Sequence, residues 1–373
     1  MRFRKRATHV VATAGLIVLT ACSPGSSGES APAGPVSTAD SGPASAVTPI
    51  SDEIIAAAEQ EGSVLLYSNA NPEVFQPLAD GFAAKYPNIE VRNLDLDDTQ
   101  IVERYKSETA TGAPTADLVM GSSQLTLSAF VDDGHILDYQ DPNLENLPEA
   151  AELAPGMTAI SLDPVVGVFN TALLPKDRQP RSVADYVALA ATDSGKIGTV
   201  AVSNSFAYHV VASYLKHTGE QGWANLEAIG RSAGVENGSA NIAQKLLQGQ
   251  YAASLFQSGA IRPLLVGDAA KVLNYDYVTD GTVLVPRAIG ITARAPHPNA
   301  AKVFLNYALS VEGQNEACKG GFSPYRAGVT CPYGLTAVEE AVGAENVIND
   351  GWDPSFVSDH DAIVTRWNRA FGR

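Results

Sequence analysis

The chain has 373 residues, with 41 acidic against 25 basic side chains and a formal net charge of −16. So acidic a balance argues against nucleic acid or an anionic lipid surface as a partner. The residues from Ile50 onward suit two domains or one large two-lobed unit. The chain opens on an export signal, Met1 to Ala21. Arg2, Arg4, Lys5 and Arg6 form its positive n-region. Val10 to Leu19 is an apolar run too short to span a bilayer, which takes about 20 apolar residues.

Leu19-Thr20-Ala21-Cys22 sets small residues before a cysteine at the end of that run. The order resembles a bacterial lipobox, in which the cysteine is lipidated and becomes the mature N-terminus. An ordinary secretory signal with an incidental cysteine is the alternative. Residues 22–49 read as a flexible tether, because Ser23 to Pro49 is rich in Ser, Gly, Pro and Ala and too poor in apolar bulk to fold. Without the four signal bases the mature chain carries 21 basic and 41 acidic residues, a charge near −20. With Cys22 lipidated, Cys318 and Cys331 remain in an oxidising compartment and are expected to pair, closing a short loop around Gly320-Gly321-Phe322. Two buried free thiols are the alternative.

Val64 to Val91 reads as strand, turn, helix, strand. Val64 to Tyr67 is a short apolar run. Asn71 and Pro72 cap and start a helix whose Phe75, Leu78, Ala79 and Phe82 share one face. Asp97 and Gln100 have capping-box spacing for the next helix, which Gly112 stops. This reading is preferred over a metal site for the cluster Asp95, Asp97 and Asp98. Asp117 to Met120 is a strand, followed by Gly121-Ser122-Ser123 and a short helix to Phe130. Ala159 to Asn170 reads as a long strand crossing between lobes. Ile197 to Val202 is a strand ending in Ser203-Asn204-Ser205, before a helix that Gly219 stops and a further one holding Trp223. Tyr251 to Phe256 is a strand ending in Gln257-Ser258-Gly259. Thr282 to Thr292 is a second crossing strand, expected to break at Pro286. A helix begins at His297-Pro298, and the last runs from about Asp359 to Phe371.

These pieces and their order, with ADLVMGSS (116–123), VVGVFNTALLP (165–175) and TVLVPRAIGITARAPHPNAAKVFLNYALSVEGQ (282–314), resemble extracellular solute-binding proteins of ATP-binding-cassette (ABC) importers. The branch is the one containing iron(III)-, phosphonate- and organophosphate-binding proteins. The resemblance spans about Ile50 to Gly328 and implies an α/β, two-lobed periplasmic-binding-protein fold of type II, with hinge strands and a central cleft. It implies a first lobe of residues 50–160 with 284–322 and a second of 161–283 with 323–373. It further implies a monomer that binds without chemistry, uses no cofactor or resident metal, and closes on its solute for presentation to a membrane permease.

On the family's pattern, Ser68, Asn69 and Asn71 form one wall of the cleft, Ser122 and Ser123 a second loop, and Ser203-Asn204-Ser205 the wall from the other lobe. Read physically, a strand end running into a helix N-terminus with hydroxyls beside it is an anion site. Ser122, Ser123, Ser203 and Ser205 serve equally as plain caps. Arg287 faces the cleft as a counter-charge or pairs with a surface acid. The Gln257-Ser258 strand end is a weaker candidate. The family's iron binders use adjacent tyrosines near Gln257-Ser258-Gly259, and this sequence has no such pair. Tyr208 falls where some of them place a further tyrosine, but one phenolate among neutral hydroxyls suits Fe(III) poorly. The expected ligand is therefore a small anionic solute, a phosphonate, phosphate ester or carboxylate, with ferric iron or a ferric chelate as the alternative. A lipid-anchored hydrolase lacks any Gly-x-Ser-x-Gly or His-Glu-x-x-His motif to support it. An adhesin would call for repeats or an exposed aromatic patch, and neither signal is present.

Overall fold

The computed structural model describes residues 49–192 and 196–373. The signal, Cys22 and nearly all of the tether lie outside them. In chain order the elements are α1 (Asp52–Glu61), β1 (Ser63–Ser68), α2 (Pro72–Lys85), β2 (Glu90–Asp95), α3 (Asp98–Thr111), β3 (Leu118–Gly121), α4 (Gln124–Asp132), β4 (Glu152–Ala154) and β5 (Met157–Asn170). Next come α5 (Val183–Thr192), β6 (Ile197–Val200), α6 (Ser205–Gly230), β7 (Gly234–Glu236), α7 (Ser239–Leu247), β8 (Ala253–Ser258), β9 (Leu273–Tyr277) and β10 (Thr282–Ile291). The chain ends through α8 (Pro298–Leu309), α9 (Val311–Gly320), α10 (Leu335–Val342), β11 (Val347–Ile348), α11 (Ser355–Ser358) and α12 (His360–Ala370).

The strands run β2-β1-β3-β10-β5-β8-β6-β7, with β4 and β9 on β5 and β11 on β10. β1 pairs in parallel with β2 and β3, and β6 with β7 and β8. Between these parallel halves lie β5 and β10, antiparallel to each other and to their outer neighbours in the order. Both are buried along their whole length and mostly apolar on both faces, with Asp163 on β5 and Arg287 on β10 as the buried charges. Two main cores flank them, as a two-lobed periplasmic-binding-protein fold requires. One gathers Leu66, Phe82, Phe304 and Phe322. The other gathers Phe169, Tyr186, Leu255 and Trp367, with Phe371 stacked on Trp367 at 4.1 Å. β5 contributes Ile160 to the first and Val165 to the second, and β10 contributes Ile289 to the first and Val285 to the second.

One expectation is corrected. Strand β10 does not break at Pro286, which pairs with Leu162; the register shift falls one step later, between Arg287 and Ala288. Proline is tolerated because the Leu162 N–H points away from β10, to the Ser323 carbonyl at 3.0 Å, so Leu162 and Pro286 are a non-hydrogen-bonded pair in which the ladder asks no N–H of Pro286. The helix that begins at Ser205 stops at Gly219 as read: Gly219 takes the non-helical φ 54° and ψ −134°, and a second helix holding Trp223 runs on to Gly230, so α6 is two helices meeting at a kink. The capping box of Asp97 and Gln100 forms as read. Cys318 and Cys331 lie at bonding distance, S–S 2.09 Å, with Cα atoms 6.0 Å apart.

Candidate functional site

Three helices with side-chain caps start on one cavity of about 600 Å³, beside the uncapped starts of α7 at Ser239 and α12 at His360. In each capped helix a side chain at the N-cap accepts the third N–H: Asp97 from Gln100, Ser123 from Thr126 and Asn204 from Ala207. The cap of α6 is therefore Asn204, not either flanking serine. The first two N–H groups of a helix have no acceptor within it. The residues bearing them, Asp98 and Thr99, Gln124 and Leu125, Ser205 and Phe206, all line the cavity. Three positive helix ends thus meet in one space.

A carboxylate already stands there. Asp98 is 7% exposed. Its Oδ1 accepts the backbone N–H groups of Ser122 at 2.9 Å and Ser123 at 3.3 Å. Its Oδ2 accepts the Ser205 hydroxyl at 2.9 Å, a bond that crosses the cavity from α6 to α3. Asn69 Nδ2 donates to the same carboxylate at 3.3 Å. Gly121 leaves the room: a Cβ there would overlap Asp98 Oδ1. A second bond crosses the cavity, from Gln124 Nε2 to the Asp353 carbonyl at 2.7 Å.

The base of the cavity carries Arg287. Its guanidinium bonds the buried Asp163 at 3.0 Å and also donates to Asn69 Oδ1. The expected alternatives thus merge: Arg287 faces the cleft and pairs with an acid, but that acid is buried. The opposite end is aromatic, lined by Tyr208, His209, Phe356 and His360. Asp350 holds the chain leading to α11 against α6, accepting from Lys216 Nζ at 2.7 Å and from the Ser213 hydroxyl. That anchor sets Phe356 against His209, ring centroids 5.1 Å apart. Tyr208 donates to the Phe356 carbonyl at 2.5 Å, and burial pushes its phenol up to about 12, so it stays neutral near pH 7. Burial pushes the His209 imidazole down to about 4, with Asp350 pulling weakly the other way.

Of the residues singled out in the sequence, Asn69, Ser122, Ser123, Ser203, Asn204, Ser205, Tyr208 and Arg287 line this one cavity. Three stand elsewhere. Ser68 is fully buried and donates to Asn93 Oδ1 at 2.6 Å. Asn71 caps α2 by accepting the Val74 N–H at 3.1 Å. Gln257 is buried on β8, and it is the next residue, Ser258, that lines the cavity, because successive strand residues face opposite ways. Sequence reasoning missed Asp98, Asn237, Ser239, Phe356 and His360 as lining residues. Asp98 was visible as a first-turn acid, but nothing local ties it to Ser205. Among the described residues no group of three or more His, Cys, Asp or Glu side chains is gathered to hold a metal ion.

A cleft between two α/β halves, lined by helix N-termini and crossed by two long strands, is the architecture of a binding protein that encloses a small ligand. Residues 77–337 match the family model of bacterial extracellular solute-binding proteins, and the chain belongs to this family. No curated protein gives a significant match. The substrate-binding protein of an ABC transporter from Agrobacterium tumefaciens is similar in structure, with TM-score 0.72 and 19% identity over 83% of this chain and 94% of the other. Iron-bound HitA from Pseudomonas aeruginosa gives 0.68 at 17%, over 83% and 99%. AfuA from Actinobacillus pleuropneumoniae, with fructose-6-phosphate bound, gives 0.66 at 17%, also over 83% and 99%. At such identities the likeness speaks for the fold alone.

Proposed function

We propose that the protein is the solute-binding component of an ABC importer and captures a small anionic organic solute in this cavity. The solute is a phosphonate, a phosphate ester or a carboxylate. The observation that carries the reading is the convergence of three helix N-termini, each with its first two N–H groups uncommitted within the helix, on one enclosed space. The Asp98 carboxylate, held by N–H and hydroxyl donors from two of those helix starts, supports it, since it is itself an anion these donors accommodate. The neutral Tyr208 phenol, committed to Phe356, speaks against a phenolate-held ferric ion.

The protein acts by binding and closure rather than by chemistry. Residues 50–160 with 284–322 form the first lobe and 161–283 with 323–373 the second, and the solute bridges them. Closure follows from tighter binding to the closed form, which is the form a membrane permease reads. Lipidation at Cys22 tethers the monomer outside the cell membrane. The test is Ser203→Ala combined with Ser205→Ala, read by titration calorimetry. Affinity for the anionic solute is expected to fall about tenfold or more, the order lost with one or two charge-assisted hydrogen bonds. Unchanged affinity would place the anion elsewhere.

A further inference from the structure

His209 stands apart from the rest of the cavity wall. It is 3% exposed, on the second turn of α6, and lines the same cavity as the helix N-termini. Neither ring nitrogen has a hydrogen-bond partner among the described residues. Buried polar groups in folded proteins are nearly always paired, so two orphaned nitrogens on a residue that lines a cavity call for a partner from what the cavity holds. The ring is neutral near pH 7, because burial holds its pKa far below that, and a neutral imidazole offers one donor and one acceptor.

Position gives the partner its place. His209 follows Ser205 by four residues, so the two side chains share one face of α6, about 6 Å apart along the axis. The first turn carries the free N–H groups that suit an anion. Phe356 meets the imidazole edge to face and lines the cavity beside it, giving an apolar face for a carbon skeleton.

We propose that His209 is a specificity-determining residue that selects an anion carrying a hydroxyl group roughly one helical turn from its charge, such as a sugar phosphate or a sugar acid. This rests on the reading of the cavity as an anion site. An aliphatic anion lacking the hydroxyl leaves the imidazole buried and unpaired, and sites built to pair a ligand hydroxyl reject analogues that lack it.

The test is calorimetric titration of the purified full chain with glucose 6-phosphate and with tetrahydropyran-2-ylmethyl phosphate, which has the same skeleton without hydroxyls. Gluconate and hexanoate form the carboxylate pair, and free glucose is the uncharged control. The hydroxylated member of at least one pair is expected to bind tenfold or more tighter than its partner. His209→Phe, which keeps the ring packing, should bring that ratio near one by weakening the hydroxylated member. His209→Gln, which keeps a donor and an acceptor, should retain the preference. Equal binding within both pairs overturns the role of His209 while leaving the anion site standing. A preference that survives in His209→Phe, or one lost equally in His209→Gln, also overturns it. Glucose binding as tightly as its phosphate, or no binding by any probe, overturns the anion reading as well.

Discussion

Ser205, at the first turn of α6, donates its hydroxyl at 2.9 Å to Asp98, at the first turn of α3, 107 residues earlier in the chain. The bond joins two helix starts that belong to different halves of the sheet. Asp98 also accepts two backbone N–H groups from the Ser122-Ser123 turn. One side chain thereby sets both the local turn and the width of the cavity. Asp98→Ala is expected to leave two N–H groups without their acceptor and to cost about 2 to 3 kcal/mol. Ser205→Ala removes only the bond across the cavity and should cost about 1 kcal/mol or less by urea unfolding, while widening the ligand-free molecule in small-angle scattering. Equal stability losses in the two variants would contradict this division of labour.

Gly121 gives a steric version of the same test. A Cβ at this position meets Asp98 Oδ1, within a fully buried strand. Gly121→Ala must displace the carboxylate and with it the Ser122-Ser123 turn. Solute affinity should fall, and stability should drop by about 1 to 3 kcal/mol, as overpacking commonly costs. An alanine variant with unchanged affinity and stability would show that the Asp98 position is not fixed.

Arg287 and Asp163 form a pair whose side chains are almost wholly buried. Removing one partner strands the other charge, so Arg287→Leu should cost about 3 to 5 kcal/mol. Arg287→Leu combined with Asp163→Leu should recover much of that loss in denaturant unfolding. A double variant no better than the single would mean the loss comes from packing against Phe322, over whose ring the guanidinium lies at 5.5 Å.

The His209 imidazole has a pKa of about 4 in the folded protein, against about 6.5 for the unfolded chain. Below pH 6.5 the unfolded state takes up a proton that the folded state refuses. Stability is therefore full above pH 6.5 and falls as the pH drops towards 4, by up to about 3 kcal/mol. His209→Phe should flatten that slope between pH 6.5 and 4. Carboxylates held low by their partners, such as Asp353 at about 2, act below that window, since an unfolded carboxyl titrates near 4. An unchanged slope in His209→Phe would contradict the buried neutral ring.

The bridge between Cys318 and Cys331 spans 13 positions. A loop of that size is worth about 3 kcal/mol in the chain-entropy account. Replacing both cysteines by serine should lower stability by that order. Intact mass in the absence of reductant should show no free thiol at these two positions, and free thiols at both would contradict the pairing.

Much of this site was legible because it is written in short-range code. A strand ending in small polar residues before an apolar helix marks a helix N-terminus over a sheet edge, and Ser122-Ser123 and Ser203-Asn204-Ser205 both obeyed it. What was hidden depends on facing and on distance. Gln257 and Ser258 differ only in which side of β8 they face, and Ser258 is the one on the cavity. Ser68 was taken up by Asn93 on β2 and by the Ala70 N–H of its own turn, and Asn71 by its helix cap. Asp98, Phe356 and His360 reach the cavity through packing between elements far apart in the chain, which no local pattern encodes. Pro286 read as a strand break because proline lacks a donor, yet its partner Leu162 turns its own polar groups towards Ser323, so this pair needs no N–H from Pro286.

The central claim is that this cleft binds an anion through helix N-termini. Thermal unfolding in the presence of organic phosphates, phosphonates, carboxylates, polyamines and ferric salts tests it most directly. At least one anionic organic solute is expected to raise the unfolding temperature, and the Ser203→Ala, Ser205→Ala double variant to lose the rise. A shift produced by ferric ion alone, without any accompanying anion, would contradict it.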